Sequence, residues 1–155
     1  MRINEIFTSI QGEGKYCGHP VMFIRVSGCT RQCNFCDTKY HINGKEWSVS
    51  KIVKKILKES PEIVVWTGGE PMLYEEEIND VYCNLQADIN IDFHVETNGD
   101  IIPKYFFMFD YYSCSPKDIK AAKNITNFFN NMLSTNAEFH IKVVTDLIMN
   151  EHLIP

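Results

Sequence analysis

The 155-residue sequence lacks an apolar run long enough to cross a membrane as a helix, which takes about 18 consecutive apolar residues. Its first ten residues are broken up by polar and acidic side chains and hold no signal-peptide core. The expectation is a cytoplasmic protein with no membrane attachment. Positive charge is scarce as well: 15 Lys and Arg stand against 20 Asp and Glu, a formal net charge of −5. A protein that binds nucleic acid chiefly by charge carries a basic block, and none is present here. The expected partner is therefore a small molecule. Repeats, low-complexity tracts and linkers are also missing. Residues 1–155 read as a single domain with an ordinary apolar fraction of 45%.

What the sequence does have is cysteine in one place. Of its six cysteines, Cys29, Cys33 and Cys36 crowd into eight residues, while Cys17, Cys83 and Cys114 are scattered. Nothing speaks for secretion, so a disulfide framework fits poorly and clustered thiols read first as metal ligands. The scattered three read as small core residues.

The hydrophobic pattern alternates strand and helix. Strands are expected at residues 21–27, 62–67, 92–97, 106–114 and 138–145. Helices are expected at 50–58, 74–85 and 125–133, the first capped by Ser48 or Ser50 and the second with acids in its first turn. Buried parallel strands joined by helices predict an α/β domain. Ligands of such folds sit at the carboxyl ends of the strands. Four of these ends carry notable residues: Cys29, then Gly68-Gly69-Glu70, then Asn98-Gly99, then Ser115-Pro116-Lys117.

The cysteine spacing is C-x3-C-x2-C. Three thiolates on one short loop can hold three irons of a 4Fe–4S cluster and leave the fourth open to bind and activate a ligand. Zinc is the competing reading, with His41 as a fourth ligand. Glycines at 68 and 69 let the backbone approach a ligand closely, and Glu70 can accept from a cationic amine; a plain strand-to-helix turn gives the same pattern. Arg25 lies inside an apolar strand, where arginine needs a partner. A substrate carboxylate and a structural ion pair are both open. Gln11 and Glu13 can offer acceptors and a donor to a polar ligand, or belong to a polar turn.

The cysteine loop with its aromatic Phe35, followed by Gly68-Gly69-Glu70, resembles the radical S-adenosylmethionine (SAM) superfamily. More of the chain joins in: Gln11-Gly12-Glu13-Gly14, Gly18-His19-Pro20, Cys36-Asp37-Thr38, Glu96-Thr97-Asn98-Gly99 and Ser115-Pro116-Lys117. This ordered set resembles the 7-carboxy-7-deazaguanine synthase family of 7-deazapurine biosynthesis. The resemblance implies a partial (β/α) TIM-like barrel; the sequence departs from the family by stopping earlier, so the barrel is expected to be abbreviated at the C-terminus. It implies a lyase reaction in which 6-carboxy-5,6,7,8-tetrahydropterin becomes 7-carboxy-7-deazaguanine with loss of ammonia.

The implied cofactors are a 4Fe–4S cluster on Cys29, Cys33 and Cys36, SAM, and Mg2+ at Thr38. SAM would be held by Phe35, Cys36, Asp37, Gly69, Glu70, Ser115, Pro116 and Lys117. The pterin would be held by Ile10, Gln11, Gly12, Arg25 and Thr67, with the Pro155 carboxylate closing on it. The implied partners are an external electron donor of flavodoxin or ferredoxin type and a second copy in a homodimer. Two other readings stand beside this one: a radical SAM activase acting on a protein partner, and a non-enzymatic zinc-binding module.

Overall fold

The computed structural model describes residues 1–36, 38, 42–85, 90–131 and 138–143. Asp37, His41 and Pro155, the last two residues of the expected helix 125–133, and positions 144–145 of the expected strand 138–145 lie outside the described residues.

Among the described residues seven strands form one sheet: β1 (Arg2–Ile10), β2 (Pro20–Val26), β3 (Lys45–Glu46), β4 (Ile63–Gly68), β5 (Asp92–Thr97), β6 (Tyr111–Cys114) and β7 (Glu138–Ile141). Their order is β3-β1-β2-β4-β5-β6-β7. β1 runs antiparallel to β2 and β3, and every pairing from β2 to β7 is parallel. Among the described residues three α-helices lie between parallel strands: α1 (Val49–Glu59) before β4, α2 (Glu75–Leu85) before β5 and α3 (Ile119–Asn131) before β7. No helix among the described residues is long and apolar enough to cross a membrane.

Local chemistry explains the helix ends. Ser48 caps α1 by accepting from the Lys51 N–H, and Ser60 ends it in the left-handed region, its N–H donating to Ile56 O. Glu75, Glu76 and Glu77 occupy the first turn of α2, where the helix dipole favours anions. Asp118 Oδ1 accepts from the Ala121 N–H at 2.8 Å as α3 begins.

Strand alternation divides the sheet into two faces. Ile24, Val26, Val64, Trp66, Phe93, Val95 and Tyr112 join the main core with Ile52 and Ile56 of α1 and Ile78 and Val81 of α2. Burying each such side chain is worth about 1.5–3 kcal/mol. The opposite face begins with a smaller apolar cluster, Val21, Ile63 and Val65, against which Tyr16 and Phe23 pack. His94 continues that floor, with ring centroids 4.4 Å from Tyr16 and 5.2 Å from Tyr111.

The structure differs from the sequence reading in four places. β1 and β3 are strands the pattern did not give. The expected strand 106–114 starts as a 3-10 turn, Phe106–Met108, and becomes strand only at Tyr111. There Asp110 Oδ2 accepts from the Phe93 N–H at 2.8 Å and ties the turn to β5. Helix α3 begins at Ile119, six residues before the expected start. Among the scattered cysteines only Cys114 is buried, and burial pushes its thiol up to about 12; Cys17 and Cys83 are exposed.

His94 is 2% exposed, and neither ring nitrogen has a hydrogen-bond partner among the described residues. Burial lowers its pKa from 6.5 to about 4. Between these values the unfolded chain binds more protons than the folded one, so stability falls as pH drops through this window. The expected loss is on the order of 2–3 kcal/mol. Denaturation curves collected from pH 7 to pH 4 should be flatter for His94→Phe than for the parent; parallel curves would contradict this.

Candidate active site

The four strand ends meet on one rim. The Glu70 N–H donates to Gly28 O at 2.8 Å and the Gly69 N–H to Val26 O at 3.0 Å, so the end of β4 lies against the start of the cysteine loop. A Cβ at Gly69 would stand 1.7 Å from Gly28 O, which is why glycine is required there. Gly68 has φ +109°, a conformation that L side chains rarely adopt. The Ser115 N–H donates to Thr97 O at 2.8 Å and brings the β6 end beside that of β5. Lys117 Nζ donates to Ser115 Oγ at 2.6 Å and lies 5.9 Å from the Phe35 ring centroid, linking the β6 end to the cysteine loop. Pro116 between them is buried, and Phe35 itself is 61% exposed.

Glu70 is fully buried at 0% exposure. Its Oε1 accepts from Thr97 Oγ1 at 2.8 Å and from the Met72 N–H at 3.1 Å; its Oε2 accepts from the Asn98 N–H at 2.9 Å. Burial raises its pKa, opposed by these three donors. The carboxylate therefore ties β4 to β5 from inside the protein.

The cysteine loop is held from its far side as well. Arg31, between Cys29 and Cys33, makes a two-pronged contact with Asp100, its Nε donating to Oδ2 at 2.7 Å, and its Nη2 donates to Asp118 Oδ2 at 2.8 Å. The Arg31 contact holds the Asp100 carboxyl below its usual range. Cys29, Cys33 and Cys36 are all free and half-buried. The Cys36 N–H donates to Cys33 O at 3.1 Å, closing a turn between two of them.

The second part of the site is a polar row across the face away from the main core. Strand register places Glu5 beside Arg25, Arg25 beside Thr67, Glu96 beside Ser113, and Ser113 beside His140. The gap between Thr67 and Glu96 is bridged by the Thr67 hydroxyl, which donates to Glu96 Oε2 at 2.6 Å. Gln11 joins this row, its Nε2 donating to Glu96 Oε1 at 3.2 Å and its Oε1 accepting from the Glu13 N–H at 3.2 Å. Arg25 forms an ion pair with Glu5 at 2.9 Å, the structural pairing left open by the sequence. Glu13 reaches across to Lys142 beyond β7. His140 lies between Tyr111 and Ser113, and burial lowers its pKa.

Of the expected site residues, the structure brings Cys29, Cys33, Cys36, Phe35, Gly69, Glu70 and Ser115 to Lys117 to the rim, and Gln11, Arg25 and Thr67 to the polar row. Thr38 is buried. Gly12 borders open space, and Ile10, at the end of β1, is 58% exposed. Sequence reasoning left Glu96 and Asn98 outside the site. The signal for Glu96 was its even spacing from His94 on a strand, which puts it on the same face as Thr67.

A parallel α/β half-barrel with three free thiols on the loop after its first parallel strand has the layout of an iron–sulfur enzyme that opens its cluster to a ligand. A model of the Radical SAM superfamily matches residues 23–115, and the chain belongs to that superfamily. The 7-carboxy-7-deazaguanine synthase of Hyperthermus butylicus is 37% identical over 126 residues, covering 77% of this chain and 53% of that protein. The protein of the same name from Bacteroides thetaiotaomicron is 39% identical over 117 residues, covering 75% and 60%. The chain thus spans about half the length of the curated relatives it matches. The crystal structure of QueE from Escherichia coli superposes with a TM-score of 0.57 over 94% of this chain and 84% of that one, at 18% identity. That likeness speaks for the fold, a partial (β/α) barrel.

The superfamily's cofactors are a 4Fe–4S cluster and SAM, and the donor set fits them. Among the described residues no three His, Cys, Asp or Glu side chains are gathered for a single metal ion. A cluster asks for something else, one thiolate per iron, and three half-buried thiols on one braced loop supply it. The open space beside Gly12 leaves room for a ligand.

Gly69→Ala would push Gly28 away from the end of β4. The expected cost is about 1–3 kcal/mol, as for other overpacked sites. Iron bound per chain after anaerobic reconstitution should fall with it. Parent-like denaturation midpoints and iron content would contradict the close-approach argument.

Proposed function

We propose that the chain is a 7-carboxy-7-deazaguanine synthase acting on 6-carboxy-5,6,7,8-tetrahydropterin. The observation that carries this reading is the polar row of Arg25, Thr67 and Glu96, joined by Gln11, one strand-end away from the cysteine loop. The substrate has a carboxylate at one end and an amidine-like edge at the other. Arg25 can take the carboxylate by sharing its guanidinium with Glu5. Gln11, Thr67 and the backbone at Ile10 and Gly12 take the ring. An aromatic floor of Tyr16, Phe23 and His94 lies beneath.

Cys29, Cys33 and Cys36 hold the cluster, and with SAM it supplies the hydrogen-abstracting radical chemistry of the superfamily. Phe35, Cys36, Gly69 and Ser115 to Lys117 line the SAM side. Glu70 serves that side through the backbone it fixes, because its carboxylate is already used by Thr97, Met72 and Asn98. Thr38 contributes a neutral oxygen to Mg2+, a cation that keeps water or substrate oxygens as its other ligands. An external flavodoxin- or ferredoxin-like protein delivers the electron, and two copies pair as a homodimer.

The reaction balances as loss of one NH3 from the pterin with no net oxidant, so SAM is regenerated and not consumed. An anaerobic incubation with SAM, Mg2+, a reductant and 6-carboxytetrahydropterin tests this by mass spectrometry. The expected result is a product lighter by the mass of ammonia, formed in excess over cleaved SAM. SAM cleavage without any pterin product would refute the substrate assignment.

A further inference from the structure

We propose that Asn98 is a positioning residue for the iron–sulfur cluster, its side-chain amide donating to the Cys29 sulfur so that the bound cluster is easier to reduce. The inference rests on Cys29, Cys33 and Cys36 as the cluster ligands.

The orientation of the amide is fixed by its surroundings. Asn98 Oδ1 accepts from the Asp100 N–H at 2.9 Å, which closes a local turn. The NH2 group must then face the other way, where it lies 3.8 Å from Cys29 Sγ and 3.0 Å from Thr30 Oγ1. Thr30 Oγ1 gives its own proton to Asp100 Oδ2 at 2.7 Å, so towards Asn98 it presents an acceptor. One amide hydrogen serves Thr30 and the other serves the sulfur.

The backbone of Asn98 is fixed too. Its N–H donates to the buried Glu70 Oε2. On the other side, Arg31 locks the cysteine loop to Asp100 and Asp118. Donor and sulfur are thus held through one network that meets at Asp100, and Asn98 itself is buried. None of these contacts belongs to the ligand triad itself.

The consequence follows from charge. Reducing a cluster adds an electron to a site already ringed by thiolates. A hydrogen bond to a ligand sulfur stabilises the more negative state and raises the reduction potential. The low local dielectric strengthens that bond.

Two variants of the full chain test this after anaerobic reconstitution. Asn98→Ala removes the donor. Asn98→Asp keeps the acceptor for the Asp100 N–H and sets a carboxylate beside the sulfur. Iron and sulfide per chain report cluster content, and a redox titration followed by electron paramagnetic resonance reports the midpoint. The expected result is a more negative midpoint for Asn98→Ala and a still more negative one for Asn98→Asp. If only Asn98→Asp keeps its cluster, its midpoint alone decides. Midpoints equal to the parent's overturn the proposal. Loss of the cluster from both variants with the fold intact also overturns it, since Asn98 would then only support the loop. A parent chain that takes up no cluster overturns the ligand assignment, and the inference with it.

Discussion

A carboxylate with no access to water sits where four strand ends meet, and the geometry of the rim depends on it. Glu70 accepts from a hydroxyl of β5, from the backbone just beyond β5, and from the backbone of its own turn. Leaving any of those donors unpaired in the interior costs about 1–3 kcal/mol. Satisfying them requires the ends of β4 and β5 to keep one relative position. Gly69 then allows the start of the cysteine loop to lie against the same junction, and the Glu70 N–H binds Gly28 O. A buried acid thus sets the place of the start of a loop, at Gly28, 42 positions earlier in sequence.

Two kinds of surface follow from that frame. The rim presents half-buried thiols, a glycine-lined turn and the Ser115 to Lys117 segment, and ion pairs on Arg31 brace the cysteine loop. The sheet face presents polar groups in register over an aromatic floor. A cofactor that starts chemistry at the rim would therefore meet a substrate lying on the face. Glu96 joins the polar row to Gln11, and so holds the loop after β1 over the same face. That division suits a reaction in which the protein orients and excludes water while its cofactors supply the reactive chemistry.

Much of this was legible in the sequence, because motifs at strand ends need only local reading. The strand Asp92–Thr97 was placed to the residue, and the four chemistry-bearing ends were named in order. The first strand escaped because Asn4, Glu5, Thr8 and Ser9 blur its alternation, and much of it is exposed. It is a strand because β2 and β3 flank it. The expected strand 106–114 failed in its first half because apolar character there serves core packing around a 3-10 turn. The specific contacts of Asn98 and Glu96 were out of reach for another reason. Each depends on a contact across a long stretch of chain, 69 positions from Asn98 to Cys29 and 85 from Gln11 to Glu96. The polar row was likewise invisible until the register between strands was known.

Amide hydrogen exchange on the apo chain, compared with Glu70→Gln, tests the central claim most directly. Glutamine keeps the shape but turns one acceptor into a donor that meets an N–H or a hydroxyl. The account predicts exchange faster by about tenfold or more at residues 28–31 and 97–100, with the strands beneath the rim still protected. Unchanged exchange in both segments, with only SAM affinity lost, would contradict it and make Glu70 a direct ligand.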